Sequence, residues 1–156
     1  MTIRFLGGAG GSGGVDLVGE GHITILPHAA RDAPQGTWTF HPLPGSGFFL
    51  NGYLYNSTHA NGDRVNYNVF LDAGTYTINV LGRLGSDAGI MEVLMDGISL
   101  GMYDWFYVFS DQTWISFLGI NTTKGLKTLS LKVNGKNPLS SDHFLGICSI
   151  SLWRTA

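Results

Sequence analysis

The sequence predicts an all-β protein built as a two-sheet antiparallel sandwich of about nine strands. Three observations carry that prediction. Tyr76, Ile78 and Val80 alternate with Thr75, Thr77, Asn79 and Leu81, the period of two that gives a strand two distinct faces. Asp96-Gly97 then separates two more alternating runs, Met91 to Met95 and Ile98 to Leu100. An Asp-Gly pair in that position signals a hairpin, because a type I′ turn needs positive φ at both central residues. Finally, charged residues make up 13% of the chain, about half the usual share, and 23 of the 156 residues are glycine. Low charge with many glycines suits short strands and tight turns.

Taken in order, Met1 to Leu6 reads as a short strand and Gly7 to Gly14 as a Gly/Ser run. Residues 1–21 are expected to form a Gly-rich arm, and residues 22–156 the sandwich. His22 to Leu26 is a short alternating strand, and Pro27 to Gly36 a loop carrying two prolines. Thr37 to His41 is the next strand, closed by Pro42-Leu-Pro44. Phe48 to Tyr55 is an aromatic run, and Asn56 to Gly62 is polar and turn-rich. Arg64 to Leu71 leads through Asp72-Ala-Gly74 into the central strand. Met102 to Ser110 packs five aromatics into one stretch. Trp114 to Ile120 and Leu126 to Val133 are strands, with Asn134-Gly135 as a second hairpin-type turn, and Ile147 to Trp153 is the last strand. Greek-key wiring of these strands gives a jelly roll.

Length points to one domain, which at this size buries roughly 70% of its unfolded surface and supports a core without staples. The net charge of −2 argues against nucleic acid as a partner. Cys148 is the one cysteine, so no internal disulfide forms; alternating with Ile150 and Leu152, it reads as a small core residue in a chain folding in a reducing cytoplasm. No apolar run reaches membrane length, so membrane insertion is not expected.

The stretches Asn61 to Gly97 and Gly119 to Trp153 resemble jelly-roll carbohydrate-binding modules. Gly62-Asp63 opens a strand, Ala73-Gly-Thr-Tyr-Thr77 follows, Asp96-Gly97 ends the next, and Gly125-Leu-Lys-Thr-Leu129 recurs later. The second half also resembles domains of bacteriophage fibres and virion surfaces, through Gly135-Lys-Asn137, Ser140-Ser141 and Ile150 to Thr155. Residues 1–60 carry neither pattern. The first resemblance implies sugar stacking on aromatic rings in loops, with Trp105, Tyr103, Tyr107 and Trp114 as the rings and Asn137 as the acceptor of sugar hydroxyls. The competing reading makes these aromatics core residues or subunit-interface anchors.

Other constellations are weaker. His22, His28, His41, His59 and His143 lack ligand-like spacing, and Asp87, Asp96, Asp104, Asp111 and Asp142 form no dense acidic loop, so neither a metal nor a cofactor is expected. Asp142-His143 beside Ser140-Ser141 has the composition of a triad without a nucleophile elbow. The glycine run lacks the Lys-Ser/Thr ending of a phosphate loop. Asn56-Ser-Thr58 and Asn121-Thr-Thr123 are formal glycosylation acceptors.

Two functional expectations follow. One is a non-enzymatic structural virion protein of a bacteriophage: a head decoration, fibre or tail-surface subunit, assembled in the host cytoplasm as a homotrimer alongside other virion proteins. A chain that begins at its own methionine and ends one domain later is part of that expectation. Ile3, Phe5, Leu6, Val15, Leu17 and Val18 flank the glycine run and would anchor the arm on another subunit; the alternative is that the arm forms an edge strand of its own sandwich. The other expectation is a lectin-like module recognising a host cell-surface glycan.

Overall fold

A computed structural model describes residues 4–5, 17–18, 21–28, 31–42 and 52–156. Every regular element among them is a strand: β1 (Arg4–Phe5), β2 (Leu17–Val18), β3 (His22–Ile25), β4 (Arg31–Gln35), β5 (Trp38–His41), β6 (Tyr53–Asn56), β7 (Arg64–Leu71), β8 (Gly74–Leu84), β9 (Gly89–Met95), β10 (Ile98–Asp104), β11 (Asp111–Thr122), β12 (Gly125–Lys136) and β13 (Gly146–Arg154). The first sheet runs β1-β2-β7-β12-β9-β10, with β4 also on β7; the second runs β11-β8-β13-β6-β5, with β3 also on β13. Together they make the expected sandwich.

The alternation along each strand decides which residues lie between the sheets. Val65, Tyr67, Val69 and Leu71 of β7 face Ile78 and Val80 of β8 and Ile150 and Leu152 of β13 in one buried cluster. Each fully buried large apolar side chain contributes about 1.5–3 kcal/mol. Tyr67 is buried with them, and its hydroxyl donates to Pro27 O at 2.8 Å. That bond ties the segment after β3 to the core.

The Asp96-Gly97 turn is found: Met95 pairs Ile98, and the two turn residues have φ of 51° and 81°. Asn134-Gly135 does something else. It lies inside β12, where the register shifts between Val133 and Lys136 and Gly135 has φ of 89°. The same turn chemistry here makes a bulge, because the strand still has β9 to pair with beyond it. Within the expected 27–36 loop, Arg31–Gln35 pairs β7 as β4. Pro34 is tolerated because β4 is an edge strand whose register breaks between Asp32 and Gln35. Cys148 is half-buried instead of fully in the core, since the register of β13 shifts between Ile147 and Ser149 and breaks the alternation.

Phe5, Leu17 and Val18 of the arm fall among the described residues. There β1 pairs β2, and β2 pairs β7 in parallel through Leu17↔Val69 and Val18↔Phe70, the one parallel strand pairing of the described sheets. These residues therefore extend the chain's own sheet, the edge-strand alternative above. Ile3, Leu6, Val15 and the glycine run lie outside the described residues, as do Phe48 to Asn51.

Candidate functional site

Trp105 is wholly buried. Its ring makes an edge contact with Tyr103 at 4.9 Å and lies against Gly82 of β8, closing the core below the loop that follows β10. It has no free face to offer a sugar, and of the two readings given to it the core one fits. Tyr103 is half-buried against the same cluster. Tyr107 is exposed on the loop after β10, edge-on to Phe109 at 6.0 Å. Asn137 is already engaged: its amide donates to Asp104 Oδ2 at 2.6 Å, and its Oδ1 accepts from Leu139 N–H. These residues occupy one end of the sandwich and form no shared aromatic platform.

Trp114 is elsewhere. Ile115 points into the core, so Trp114 and Ser116 point out from the second sheet. Register sets what surrounds them. Ser116 lies opposite Asn79, Asn79 opposite Ser151, and Ser151 opposite Thr24, one unbroken polar row across β11, β8, β13 and β3. The row on one side is Trp114–Leu81–Ser149, and on the other Thr77–Trp153–His22. Trp114 and Trp153 are each 52% exposed, whereas Ser151 between them is 7% exposed. Together with Asn79 and Ser151 the two rings line a pocket of about 230 Å³. The result is a trough with indole walls and an amide-hydroxyl floor.

The floor is wired. Ser116 Oγ donates to Asn79 Oδ1 at 2.6 Å, Asn79 Nδ2 donates to Ser151 Oγ at 3.4 Å, and Trp153 Nε1 donates to the same oxygen at 3.1 Å. Ser151 thus accepts twice. His22 packs on Trp153 with ring centroids 4.6 Å apart, and Thr24 Oγ1 lies 3.2 Å from His22 Nε2. These contacts hold the Trp153 rotamer before any ligand arrives, which lowers the ordering cost of binding.

The remaining polar clusters are structural. Asp63 is 4% exposed, and its Oδ2 accepts from Asn56 Nδ2, Thr58 Oγ1 and the Ala60 N–H, each at 2.9 Å. Asn56 is buried and accepts from Leu145 N–H, so its sequon presents no accessible amide. Asp142 pairs with His59 Nδ1 at 2.6 Å, while Ser140 Oγ donates to the Asp142 carbonyl and not to a histidine. The aspartates considered for calcium are dispersed: Asp87 holds Arg83, Asp96 caps Thr128 N–H and Asp104 holds Asn137. Among the described residues no three metal-ligating side chains converge.

No family model matches the sequence, and no curated protein matches it. Solved structures do share the fold. The CBM36-1 domain of a multidomain xylanase from the hindgut metagenome of Trinervitermes trinervoides superposes with a TM-score of 0.62 at 14% identity, over 86% of this chain and 98% of that one. A CBM36 carbohydrate-binding module in complex with calcium and xylotriose gives 0.59 at 16%, over 83% and 98%. The insecticidal crystal protein Cry2Aa gives 0.66 at 13%, over 90% of this chain but 23% of its own. At such identities the likeness is one of fold, and Cry2Aa shows that it extends beyond carbohydrate-binding modules.

Trp114 was legible as a ring candidate from sequence. Trp153, Asn79, Ser151 and Ser116 were not, because they meet only through strand register. The available signal was a tryptophan in the outward row of a strand, beside Ser149 and Ser151.

Proposed function

We propose that this protein binds carbohydrate on the outer face of its second sheet, without turning it over. The observation that carries the reading is the recessed Asn79–Ser151 floor between two half-exposed indole rings, of which Trp153 is held by Ser151 and His22. Indole faces stack on the C–H face of a sugar ring, and amide and hydroxyl groups satisfy its hydroxyls. Fold likeness to carbohydrate-binding modules supports the reading. The virion expectation, with its homotrimer and its arm anchored on another subunit, rests on the reading of the sequence alone, and the pairing of β2 with β7 favours the arm's edge-strand alternative.

Glycan-array binding by the wild type, Trp114→Ala, Trp153→Ala and Tyr107→Ala tests this. Wild type and Tyr107→Ala are expected to bind the same glycans, and the two tryptophan variants to lose them. Silence across the array, or loss with Tyr107→Ala alone, overturns the assignment.

A further inference from the structure

Building on that reading, we infer that the trough takes a single uncharged glycan chain, lying across the strands and gripped along its length. Three features lead there. The first is charge. In the three rows that form the trough, Trp114–Leu81–Ser149, Ser116–Asn79–Ser151–Thr24 and Thr77–Trp153–His22, no residue is an Asp, Glu, Lys or Arg. Arg154 follows Trp153 but pairs Tyr76 on the alternate side of β13, and its guanidinium donates to Ala73 O at 2.6 Å. The other neighbouring cation, Arg83, lies two residues beyond Leu81. It is bound to Asp87 at 2.9 Å and stacked over Phe144. A polyuronate would bring one carboxylate per residue to a floor with no cation for it, whereas a neutral sugar brings only hydroxyls.

The second feature is the profile of the floor. Ser116 and Thr24, at the two ends of the polar row, are exposed, while Asn79 and Ser151 between them are recessed. A trough with exposed ends receives the interior of a chain. An end-recognising site closes around one terminal sugar.

The third is the position of the rings. Trp114 belongs to the row on one side of the floor and Trp153 to the row on the other, two strands away and four residues along. Strand geometry puts their Cα atoms about 16 Å apart on a diagonal. A ligand touching both is longer than one sugar ring. It meets one indole on its left flank near β11 and one on its right flank near β13. A ribbon-like β-linked chain, whose successive units turn opposite faces outward, presents a stacking face to each. A crystalline polysaccharide surface is flat and does not reach a floor recessed between two ring walls.

Titration calorimetry with neutral β-linked glucose and xylose oligomers of one to six units, and affinity electrophoresis in hydroxyethylcellulose, soluble xylan, polygalacturonate and alginate, test the inference. Pull-down on microcrystalline cellulose completes the set, with melting curves confirming that each variant is folded. The expected result is binding to a soluble neutral chain that strengthens with length, is undetectable for the monosaccharide and weakens roughly tenfold or more in Trp114→Ala and in Trp153→Ala. Tryptophan-dependent binding to a polyuronate, to crystalline cellulose or to a monosaccharide as tightly as to a hexamer overturns this inference and leaves carbohydrate binding standing. Binding indifferent to both tryptophans, or absent from every probe, overturns the site along with it.

Discussion

Gly82→Ala is expected to weaken the fold out of proportion to one methyl group. Gly82 lies in β8 between Thr113 of β11 and Ile147 of β13. A Cβ there would stand 2.5, 2.7 and 2.9 Å from Cη2, Cζ3 and Cζ2 of Trp105. Comfortable carbon–carbon separation is about 3.5–4.0 Å, so the overlap is about 1 Å against three ring atoms. The ring is fully buried and braced by Tyr103, and β8 is hydrogen-bonded on both sides. Neither partner has room to retreat. Overpacking of this kind costs about 2–3 kcal/mol, which for a chain of this length lowers Tm by about 5–10 °C. Urea unfolding followed by tryptophan fluorescence and circular dichroism should show a lower midpoint at unchanged slope. Trp105→Phe, which shortens the ring system, should recover part of the loss in the double variant, with a coupling of about 0.5–3 kcal/mol. A Gly82→Ala protein that unfolds at the wild-type midpoint would falsify the close approach of Trp105 to β8. A double variant whose loss is the simple sum of the singles would do the same.

Three further outcomes are expected. Asp63→Ala strands the Asn56 amide, the Thr58 hydroxyl and the Ala60 N–H; it should cost about 2–3 kcal/mol in denaturant unfolding, and a loss below about 0.5 kcal/mol contradicts the buried network. Burial raises the Asp142 carboxyl, but the His143 N–H and the His59 ring outweigh it and hold it below its ordinary value. The stabilisation is therefore present above the unfolded carboxyl pKa of about 3.9 and lost as pH falls through the folded value. Melting temperature between about pH 2 and 6 should fall more steeply for wild type than for His59→Ala; parallel curves refute the coupling. Burial pushes the Cys148 thiol up to about 12, so a disulfide reagent at about pH 8 should react far more slowly with the folded chain than in denaturant. Equal rates would place the thiol in solvent.

What was legible in the sequence was what strands carry locally. The alternation from Thr75 to Leu81 fixed both faces of β8, and Asp96-Gly97 fixed a turn whose φ values are those its chemistry demands. Asn134-Gly135 has kindred chemistry and became a bulge, because whether a chain reverses there depends on a partner strand far away in sequence. Trp105 and Trp114 looked equivalent as rings. Their fates differ because Trp114 stands on the outward face of β11, whereas Trp105 follows β10 and turns into the core beside Gly82, whose missing side chain is the space it fills. The trough was invisible for a related reason. Ser116, Asn79, Ser151 and Thr24 are unremarkable in their own strands, and only four strands in register make them a row. Gly62-Asp63, part of the likeness to carbohydrate-binding modules, supplies the acceptor that holds the β6–β7 connection together.

β13 is the seam of the second sheet. It pairs β8 along one edge and both β3 and β6 along the other. Some of those partners lie more than a hundred positions away, as Ile150 and Ile25 do. During synthesis β3, β6 and β8 leave the ribosome long before the strand that joins them. Their apolar rows, Ile23 and Ile25 or Ile78 and Val80, must wait uncovered or borrow cover from another chain. Contacts so distant in sequence are slow to form. The face that carries both indoles is therefore completed only after every other strand of the two sheets has been made, since Gly146–Arg154 supplies Trp153 as well as the seam. In refolding, recovery of ligand binding should trail the first gain of β-structure, and a nascent chain halted before β13 should hold much of one sheet while lacking any trough.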